Sequence, residues 1–410
     1  MTQFRSVDEQ LKDLLRGAQD IYDEREFRNL LRDAMGIKRP LRVKLGIDPS
    51  SPDIHLGHTV VLRRLRAFQD HGHQAVLIIG DYTAMVGDPS GRNKTRPQLT
   101  EQDVERNAVT YMEQAGKILD LSRTELRRNG EWFSRMNFME VLRLCARSTV
   151  AQMLERDDFD KRYHTKVPIS LHEFIYPLMQ GWDSVMVKAD VELGGTDQLF
   201  NLLMGRRLQE QEGQRPQVCI TSPIIPGLDG EQKMSKSLGN AIGVTEAPEN
   251  MFGKVMSIPD ALMASWFTLL TREPEDRVAT LCDAARTHPR EAKLALAHLI
   301  TQEMHGPAAA KQAHDTFVST VSRGELPADM PELAVAVPEG GIGVLALVKA
   351  AQNISGSEAR RLVAQGGVKL VQPDTQDEFS VNDPNAVLGR DDLAGRVLKI
   401  GKRHHFRLKT

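Results

Sequence analysis

Two short clusters, far apart in the sequence, carry side chains suited to binding phosphate. The first, His55-Leu56-Gly57-His58, follows an apolar stretch and a proline-containing turn and opens a segment with helical spacing. Because the first N–H groups of a helix have no partner within it, two imidazoles at that end make a natural site for anions. The second, Lys233-Met234-Ser235-Lys236-Ser237, offers ammonium and hydroxyl groups that can stabilise negative charge on departing phosphates.

The order of the two clusters is more informative than either cluster alone, because H-x-G-H by itself recurs by chance and a Lys/Ser loop is usually exposed surface. The ordered pair resembles the double signature of the class I aminoacyl-tRNA synthetases, and the surrounding residues resemble the bacterial tyrosyl-tRNA synthetases. This resemblance extends from about Leu41 to the C-terminus. It implies ATP-dependent attachment of L-tyrosine to tRNA(Tyr), through a tyrosyl-adenylate and with release of pyrophosphate. ATP is then a substrate, and Mg²⁺ is expected to arrive with it.

The same resemblance implies which residues contact ATP. The residues expected to assist the reaction are His55, His58, Lys233, Lys236, Ser50, Arg92 and Arg96. Arginine suits the pyrophosphate side because its charge is permanent and its planar fork matches phosphate oxygens. For Arg92 and Arg96, an ordinary solvated basic loop is an equally good interpretation. The residues expected to bind ATP are Gly46, His55, Gly57, His58, Gly195, Asp197, Lys233, Met234, Ser235 and Lys236.

A polar stripe in an apolar segment predicts the amino-acid pocket. Tyr176, Gln180 and Asp183 are spaced i, i+4 and i+7, so on a helix they share one face. Buried polar groups need partners, and a satisfied core network is the alternative to a substrate site. The Y-x-x-x-Q-x-x-D pattern resembles the tyrosyl-enzyme motif, in which the aspartate accepts the substrate phenol O–H. The resemblance gives the tyrosine-binding set as Asp48, Thr83, Asp88, Tyr176, Gln180, Asp183 and Gln198.

Lys44 departs from the better-known branch of the family, where a tyrosine at this position also contacts the substrate phenol. The stretch Leu-Arg-Val-Lys-Leu-Gly at 41–46 is similar to a second branch of the bacterial enzymes. A lysine in a strand can simply pair with a neighbouring carboxylate. Recognition of the phenol would then depend more heavily on Asp183.

Composition places the chain among ordinary globular proteins. The net charge of −2 excludes a uniformly basic nucleic-acid binder but permits a local basic patch. The three cysteines show no metal-ligand or disulfide spacing, which predicts a reducing cytoplasm and no metal site in the protein. No signal peptide and no membrane-spanning stretch is evident.

The pattern of elements predicts an α/β protein with three parts. Residues 1–40 are predicted to form two amphipathic helices, and 41–239 a Rossmann-like doubly wound parallel sheet, with Asp81–Arg96 as a loop beside it. Residues 240–325 are predicted to form a helical domain, which the resemblance implies is the anticodon-binding domain, and 326–341 a linker. Residues 342–410, with 11 Lys/Arg against 7 Asp/Glu, resemble a small α+β S4-like RNA-binding domain. The family resemblance also implies a homodimer.

Three alternatives are open from the sequence. A tryptophanyl-tRNA synthetase has a similar core, but the basic tail and Asp183 disfavour it. A non-catalytic RNA-binding relative is expected to lose a histidine or lysine of the two signatures, and this chain keeps them all. A nucleotidyltransferase that uses H-x-G-H alone would lack the lysine cluster and the tail.

Overall fold

The protein is described by a computed structural model, which covers residues 5–90, 99–322, 326, 330–373, 375, 377–401 and 404–410. Two compact units divide the chain, Met1–Pro307 and Ala308–Thr410. Arg92 and Arg96 lie outside the described residues.

A six-stranded sheet organises the first unit, as the alternating pattern predicts. Its order is β1-β6-β5-β2-β3-β4, and every neighbouring pair is parallel except β1 with β6. The short antiparallel strand β1 was not predicted, because three residues are too few to show alternation. The strands are β1 (Asp20–Tyr22), β2 (Arg42–Ile47), β3 (Gln74–Ile79), β4 (Thr124–Arg128), β5 (Val191–Gly195) and β6 (Val218–Ser222).

Helices cover the sheet, and the two predicted at the N-terminus are confirmed as α1 and α2. α2 buries Phe27, Leu30 and Leu31 on one stripe, as its periodicity indicates. The helices of this unit are α1 (Val7–Leu14), α2 (Glu24–Gly36), α3 (Leu56–Asp70), α4 (Asp81–Val86), α5 (Glu101–Ala115), α6 (Gly130–Phe133), α7 (Phe138–Cys145), α8 (Val150–Met153), α9 (Asp157–His164), α10 (Leu171–Val187), α11 (Leu199–Gln211), α12 (Pro248–Met256), α13 (Met263–Leu270), α14 (Glu275–Leu281) and α15 (Pro289–His305).

The prediction of a loop over Asp81–Arg96 is wrong for its first part, since Asp81–Val86 forms α4. Asp81 lies in the first turn of that helix, and its carboxylate accepts hydrogen bonds from the Tyr82 and Gly130 N–H groups. The glycine that ends the segment, Gly87, has φ +85°, which a helix cannot continue. The loop therefore begins only after one short helix.

The carboxyl ends of the central strands meet at one edge, where ligands bind in sheets of this kind. Asp48 follows β2, Gly80 follows β3, and Gly195 ends β5. Of the longer helices, α3 and α10 bring the two predicted motifs to this edge, because α3 begins after His55 and α10 carries Tyr176 to Asp183.

The second unit is a small α+β fold with its own apolar core. A five-stranded sheet has the order β10-β9-β12-β13-β7, and β11 pairs with β8. The predicted helix, glycine turn and strand are confirmed as α18, Gly366 and β9. The elements are α16 (Pro307–Phe317), β7 (Glu332–Ala334), β8 (Ile342–Gly343), α17 (Val344–Gln352), α18 (Gly356–Ala364), β9 (Val368–Val371), β10 (Glu378–Ser380), β11 (Val387–Leu388), α19 (Arg390–Leu393), β12 (Val397–Ile400) and β13 (His404–Lys409).

Two features of this unit differ from the predicted organisation. Strand β7 lies inside the stretch 326–341 that was predicted to be a linker, and it pairs in parallel with β13. The backbone hydrogen bonds of β7 make it part of the sheet, although the prolines and glycines of the stretch 326–341 predicted a linker. The compact units also divide after Pro307, earlier than the predicted boundary at 325. Among the described residues, no helix is long and apolar enough to cross a membrane.

Candidate active site

The two sequence clusters face one cavity of about 650 Å³. His55 and His58 come from the start of α3, and Lys233 to Ser237 come from the segment after β6. The cavity therefore brings together groups that are far apart in the sequence. Its other lining residues include Ser50, Gly57, Gly195, Asp197, Met234 and Ser235, all predicted at the ATP site or the reaction centre.

The two histidines are held by the backbone at the start of α3. His55 Nδ1 accepts the Gly57 N–H at 3.2 Å, and His58 Nδ1 accepts the His55 N–H at 3.2 Å. A neutral ring with Nδ1 as acceptor carries its proton on Nε2, so each ring keeps one N–H donor. A Cβ at position 57 would lie 2.9 Å from His55 Cε1, so glycine is needed for this packing.

Both imidazoles are neutral near pH 7. Burial is the main cause, and it lowers the pKa of His55 to about 3 and that of His58 to about 4. For His55 the adjacent His58 ring adds to the effect, and the ammonium of Lys236 lowers both pKa values further. The rings can thus donate hydrogen bonds to an anion, while the lysines supply the positive charge.

The contacts that hold the lysine segment to residues outside it include one ion pair and one hydrogen bond. Lys236, which lines the cavity, forms an ion pair with Asp53, which follows the lining residues Ser50 and Ser51 in the sequence. The Ser235 N–H donates to Asn240 Oδ1 at 2.8 Å, and the hydroxyl groups of Ser235 and Ser237 lie 2.9 Å apart. Lys236 and Asp53 are both partly exposed, so an anionic substrate can compete with Asp53 for the ammonium.

A smaller cavity of about 260 Å³ adjoins the first, and all seven residues predicted to bind tyrosine line it. Ser50, His58, Gly195 and Asp197 line both cavities, so the two form a continuous site. Gly46, predicted at the ATP site, lines only the smaller one.

Two hydrogen-bonded groups hold the polar side chains of the smaller cavity. Asp48 accepts from the Thr83 hydroxyl at 2.7 Å and the Tyr176 hydroxyl at 2.9 Å. In the second group, Asp88 accepts from Gln198 Nε2 at 2.9 Å, while Asn201 Nδ2 donates to the side-chain oxygens of Gln180 and Gln198. Two carboxylates and several amide oxygens therefore converge on a space that can hold a substrate ammonium.

Asp183 occupies the buried part of the smaller cavity and is 3% exposed. It accepts from Trp132 Nε1 at 3.0 Å and Asn129 Nδ2 at 3.3 Å. Burial raises its pKa to about 7, against the opposing effects of the Lys44 ammonium and the two donors. The sequence analysis missed Trp132 and Asn129, because the stretch that contains them shows no motif.

Lys44 pairs with a carboxylate, which is one of the two interpretations that the sequence allowed for this lysine. The lysine is fully buried, and its Nζ lies 2.8 Å from Glu192 Oε1, the Ser184 hydroxyl and the Gln180 carbonyl oxygen. Gln180 also donates to Glu192 through Nε2 at 3.3 Å. This network lies under the smaller cavity and fixes the turn of α10 that carries Gln180 and Asp183.

In the part of the chain that the structure describes, no group of three or more His, Cys, Asp or Glu side chains is placed so that it could hold a metal ion. Two carboxylates of the site, Asp88 and Asp197, influence one another electrostatically. Burial raises the pKa of Asp197, and the charge of Asp88 raises it further.

Comparison with known proteins gives the chain a family. Residues 36–322 match the model of the tRNA synthetases class I (W and Y). The tyrosine–tRNA ligase of Symbiobacterium thermophilum is 52% identical, over 99% of this chain and 98% of that protein. The tyrosine–tRNA ligase of Salinibacter ruber is 50% identical, over 99% and 98%.

Solved structures show the same fold at lower identity. A tyrosyl-tRNA synthetase complexed with L-tyrosine from Archaeoglobus fulgidus has a TM-score of 0.62 at 23% identity, covering 75% of this chain and all of that one (100%). A C-terminally truncated mitochondrial enzyme from Aspergillus nidulans has a TM-score of 0.63 at 24% identity, covering 77% and 94%. With these matches, the chain belongs to the class I tRNA synthetases, in the family of the tyrosine–tRNA ligases.

Proposed function

We propose that this chain attaches L-tyrosine to tRNA(Tyr) in two steps and that the two adjoining cavities divide the work. The observation that carries the proposal is the continuity of a cavity lined by both signatures with a smaller one that contains Asp183. ATP enters the larger cavity and tyrosine the smaller one.

In the first step a tyrosine carboxylate oxygen bonds to the α-phosphorus of ATP. The bond from that phosphorus to the bridging oxygen breaks, and pyrophosphate leaves with the electron pair. No side chain acts as nucleophile, so catalysis comes from positioning and from stabilising charge in the transition state. The pyrophosphate is stabilised by Lys233, Lys236 and the Nε2–H of His55. Ser50, Arg92 and Arg96 are also predicted to stabilise it. His58 lies against the ribose, together with Gly195 and Asp197. Mg²⁺ accompanies the ATP phosphates.

The smaller cavity selects tyrosine by binding both ends of the amino acid, the α-ammonium and the phenol hydroxyl. Tyr176, Gln180 and Asp88 bind the α-ammonium, with Asp48 and Thr83 supporting them through the hydrogen bonds described above, and Gln198 lies toward the carboxylate. Asp183 accepts the phenol O–H. Rejection of an amino acid that lacks the hydroxyl, because a buried acceptor would stay unpaired, is a known property of tyrosyl-tRNA synthetases.

In the second step the 3′-terminal hydroxyl of tRNA bonds to the carbonyl carbon of the tyrosyl-adenylate, the bond from that carbon to the phosphate oxygen breaks, and AMP leaves. The helices between 240 and 325 are proposed to bind the anticodon arm. The basic S4-like segment 342–410 is proposed to bind RNA by phosphate contacts and shape. In support, α18 carries two adjacent arginines, Arg360 and Arg361, that are both exposed.

A homodimer is also proposed, because large apolar side chains are exposed around α7. Phe138 is 75% exposed, Met139 56% and Leu142 45%, and Leu171 at the start of the neighbouring α10 is 82% exposed. Exposed apolar clusters of this kind mark protein interfaces. Sedimentation of the Phe138→Ser variant is expected to show monomers where the unaltered chain shows dimers.

The three cysteines are free, which fits the reducing cytoplasm expected from the sequence.

Pyrophosphate exchange into ATP, run with each of the twenty amino acids, tests the proposal. We expect exchange with tyrosine alone, since only tyrosine satisfies Asp183. Exchange driven by tryptophan would contradict the assignment of the smaller cavity. Exchange that requires no amino acid would contradict the whole mechanism.

A further inference from the structure

A third cavity, separate from the active site, is lined by an unusual number of arginines. It has a volume of about 290 Å³ and lies between α1, α3 and α13. Five arginines line it against two aspartates, a formal excess of three positive charges. Glu303, which does not line the cavity, pairs with one of them, Arg63. The arginines are Arg5, Arg16, Arg63, Arg64 and Arg272.

Two of these arginines have no carboxylate partner within salt-bridge distance among the described residues. Arg64 is 7% exposed, and its guanidinium donates only to neutral acceptors: the Ser222 hydroxyl and the carbonyl oxygens of Leu14 and Arg16. Burial lowers its pKa to about 10, with no carboxylate acting to raise it. A buried arginine without a paired charge is rare, since removing an ion from water costs free energy that a counter-ion normally offsets.

Arg16 is the second, and its nitrogen atoms lack partners. Its Nε and Nη2 atoms are buried and have no hydrogen-bond acceptor. Asp13, Glu273 and Glu275 attract it only from beyond salt-bridge distance. The two aspartates of the cavity are already engaged, Asp13 with His71 and Arg5, and Asp70 with Arg66 and Arg272.

We infer that this cavity binds a phosphate group, with Arg16 and Arg64 as its principal donors. A guanidinium fork matches phosphate oxygens, and the space is several times the ~30 Å³ that one water occupies, which is enough for pyrophosphate. Two sources have this chemistry: free pyrophosphate, which the enzyme's own reaction releases, or a backbone phosphate of tRNA. The site goes beyond the proposed function, which makes no use of these arginines.

Two side chains connect the cavity to the active site, and one of them is Val60, which lines both this cavity and the larger active-site cavity. Arg64 donates through Nε to the Ser222 hydroxyl at 3.0 Å, and Ser222 lines the larger active-site cavity. Arg64 also belongs to α3, whose first turn carries His55 and His58. An anion beside Arg64 is therefore placed one hydrogen bond from the ATP site.

Calorimetric titration of the full chain with sodium pyrophosphate tests the inference. Arg16→Gln is the variant, and Arg28→Gln, an exposed arginine paired with Asp8 outside the cavity, is the matched control. If the source is free pyrophosphate, the unaltered chain and Arg28→Gln will bind two per chain and Arg16→Gln only one. Losing a charge-assisted contact of this kind is expected to weaken the site about tenfold or more.

Binding of tRNA(Tyr), measured at several salt concentrations, tests whether the phosphate in the cavity comes from the tRNA backbone. If a tRNA phosphate occupies the cavity, Arg16→Gln will weaken tRNA binding and reduce the salt slope by about 1, while Arg28→Gln will not. Unchanged pyrophosphate stoichiometry together with an unchanged tRNA slope would overturn the inference.

Two further measurements keep the result interpretable. Thermal unfolding reports whether Arg16→Gln folds; if it does not, Arg272→Gln at the exposed rim of the cavity replaces it under the same criteria. Tyrosine-dependent exchange, measured on the same samples, is expected to be unchanged in all of them. Its absence from the unaltered chain would contradict the proposed function and leave the test of the third cavity intact.

Discussion

The two cavities of the active site are built in opposite ways. The larger one is lined by groups on loops and helix ends, and its Lys236 and Asp53 are 42% and 43% exposed. The smaller one is lined by side chains of strands and of α10, and Asp183 and Lys44 beneath it are 3% and 0% exposed. A site that must release pyrophosphate benefits from exposed ion pairs that exchange partners. A site that must tell a phenol from a phenyl ring benefits from fixed, fully satisfied polar groups.

This comparison predicts that variants of the smaller cavity lose stability and selectivity, whereas variants of the larger one lose rate. The largest effect is expected beneath the smaller cavity. Lys44→Met leaves Glu192 buried without its counter-ion, which typically costs about 3–5 kcal/mol in the free energy of unfolding. Urea denaturation measures this loss. The double variant Lys44→Met with Glu192→Met should recover most of it, and a double variant as unstable as the single one would show that the pair itself is not the cause.

Lys236→Ala tests the larger cavity. Because its ammonium is proposed to stabilise charge that develops in the transition state, we expect tyrosyl-adenylate formation to slow by about 100-fold or more. Tyrosine affinity and thermal stability should be unchanged, since the side chain is exposed. Single-turnover kinetics and equilibrium dialysis measure the two quantities. Lys12→Ala, an exposed lysine on α1, is the control. Equal losses of rate and tyrosine affinity would mean that the lysine binds the ground state.

Asp183→Asn tests whether the smaller cavity discriminates between tyrosine and phenylalanine through this aspartate. The change keeps the size of the side chain but weakens the acceptor for the phenol O–H. We expect the ratio of kcat/KM for tyrosine over phenylalanine to fall at least about tenfold. Asp48→Asn, which changes the carboxylate that accepts from Thr83 and Tyr176, should raise KM for both amino acids and keep their ratio. A ratio unchanged by Asp183→Asn would refute the role of this aspartate.

The smallest expected effect is one of pH. The pKa of Asp183 is raised to about 7, so its carboxylate is ionised at pH 8 and mostly protonated at pH 6. As pH falls through 7 the acceptor is lost, and KM for tyrosine should rise by up to about tenfold per pH unit. His55 and His58 stay neutral across this range, because their pKa values are about 3 and 4. A profile that persists in Asp183→Asn would assign the titration to another group.

Much of the site could be predicted from the sequence because its residues lie in compact motifs. The spacing of Tyr176, Gln180 and Asp183 already places them on one helix face, and α10 has that face toward the cavity. The supporting residues could not be predicted. Trp132 and Asn129 contact Asp183 from a stretch without a motif, and Glu192 reaches Lys44 from a strand 148 positions away. The same reason applies to β7, whose strand character depends on the partner β13.

The sequence by itself determined the parallel sheet, the two signature motifs and the polar face of α10, because each depends on spacing within a short segment. Only the tertiary structure decided which carboxylate neutralises Lys44 and which donors contact Asp183. It also decided that Arg16 and Arg64 line one cavity with no carboxylate within salt-bridge distance of either among the described residues. Burial and charge pairing are properties of neighbours in space, and the free energy of a buried ion depends on those neighbours more than on its own position in the chain.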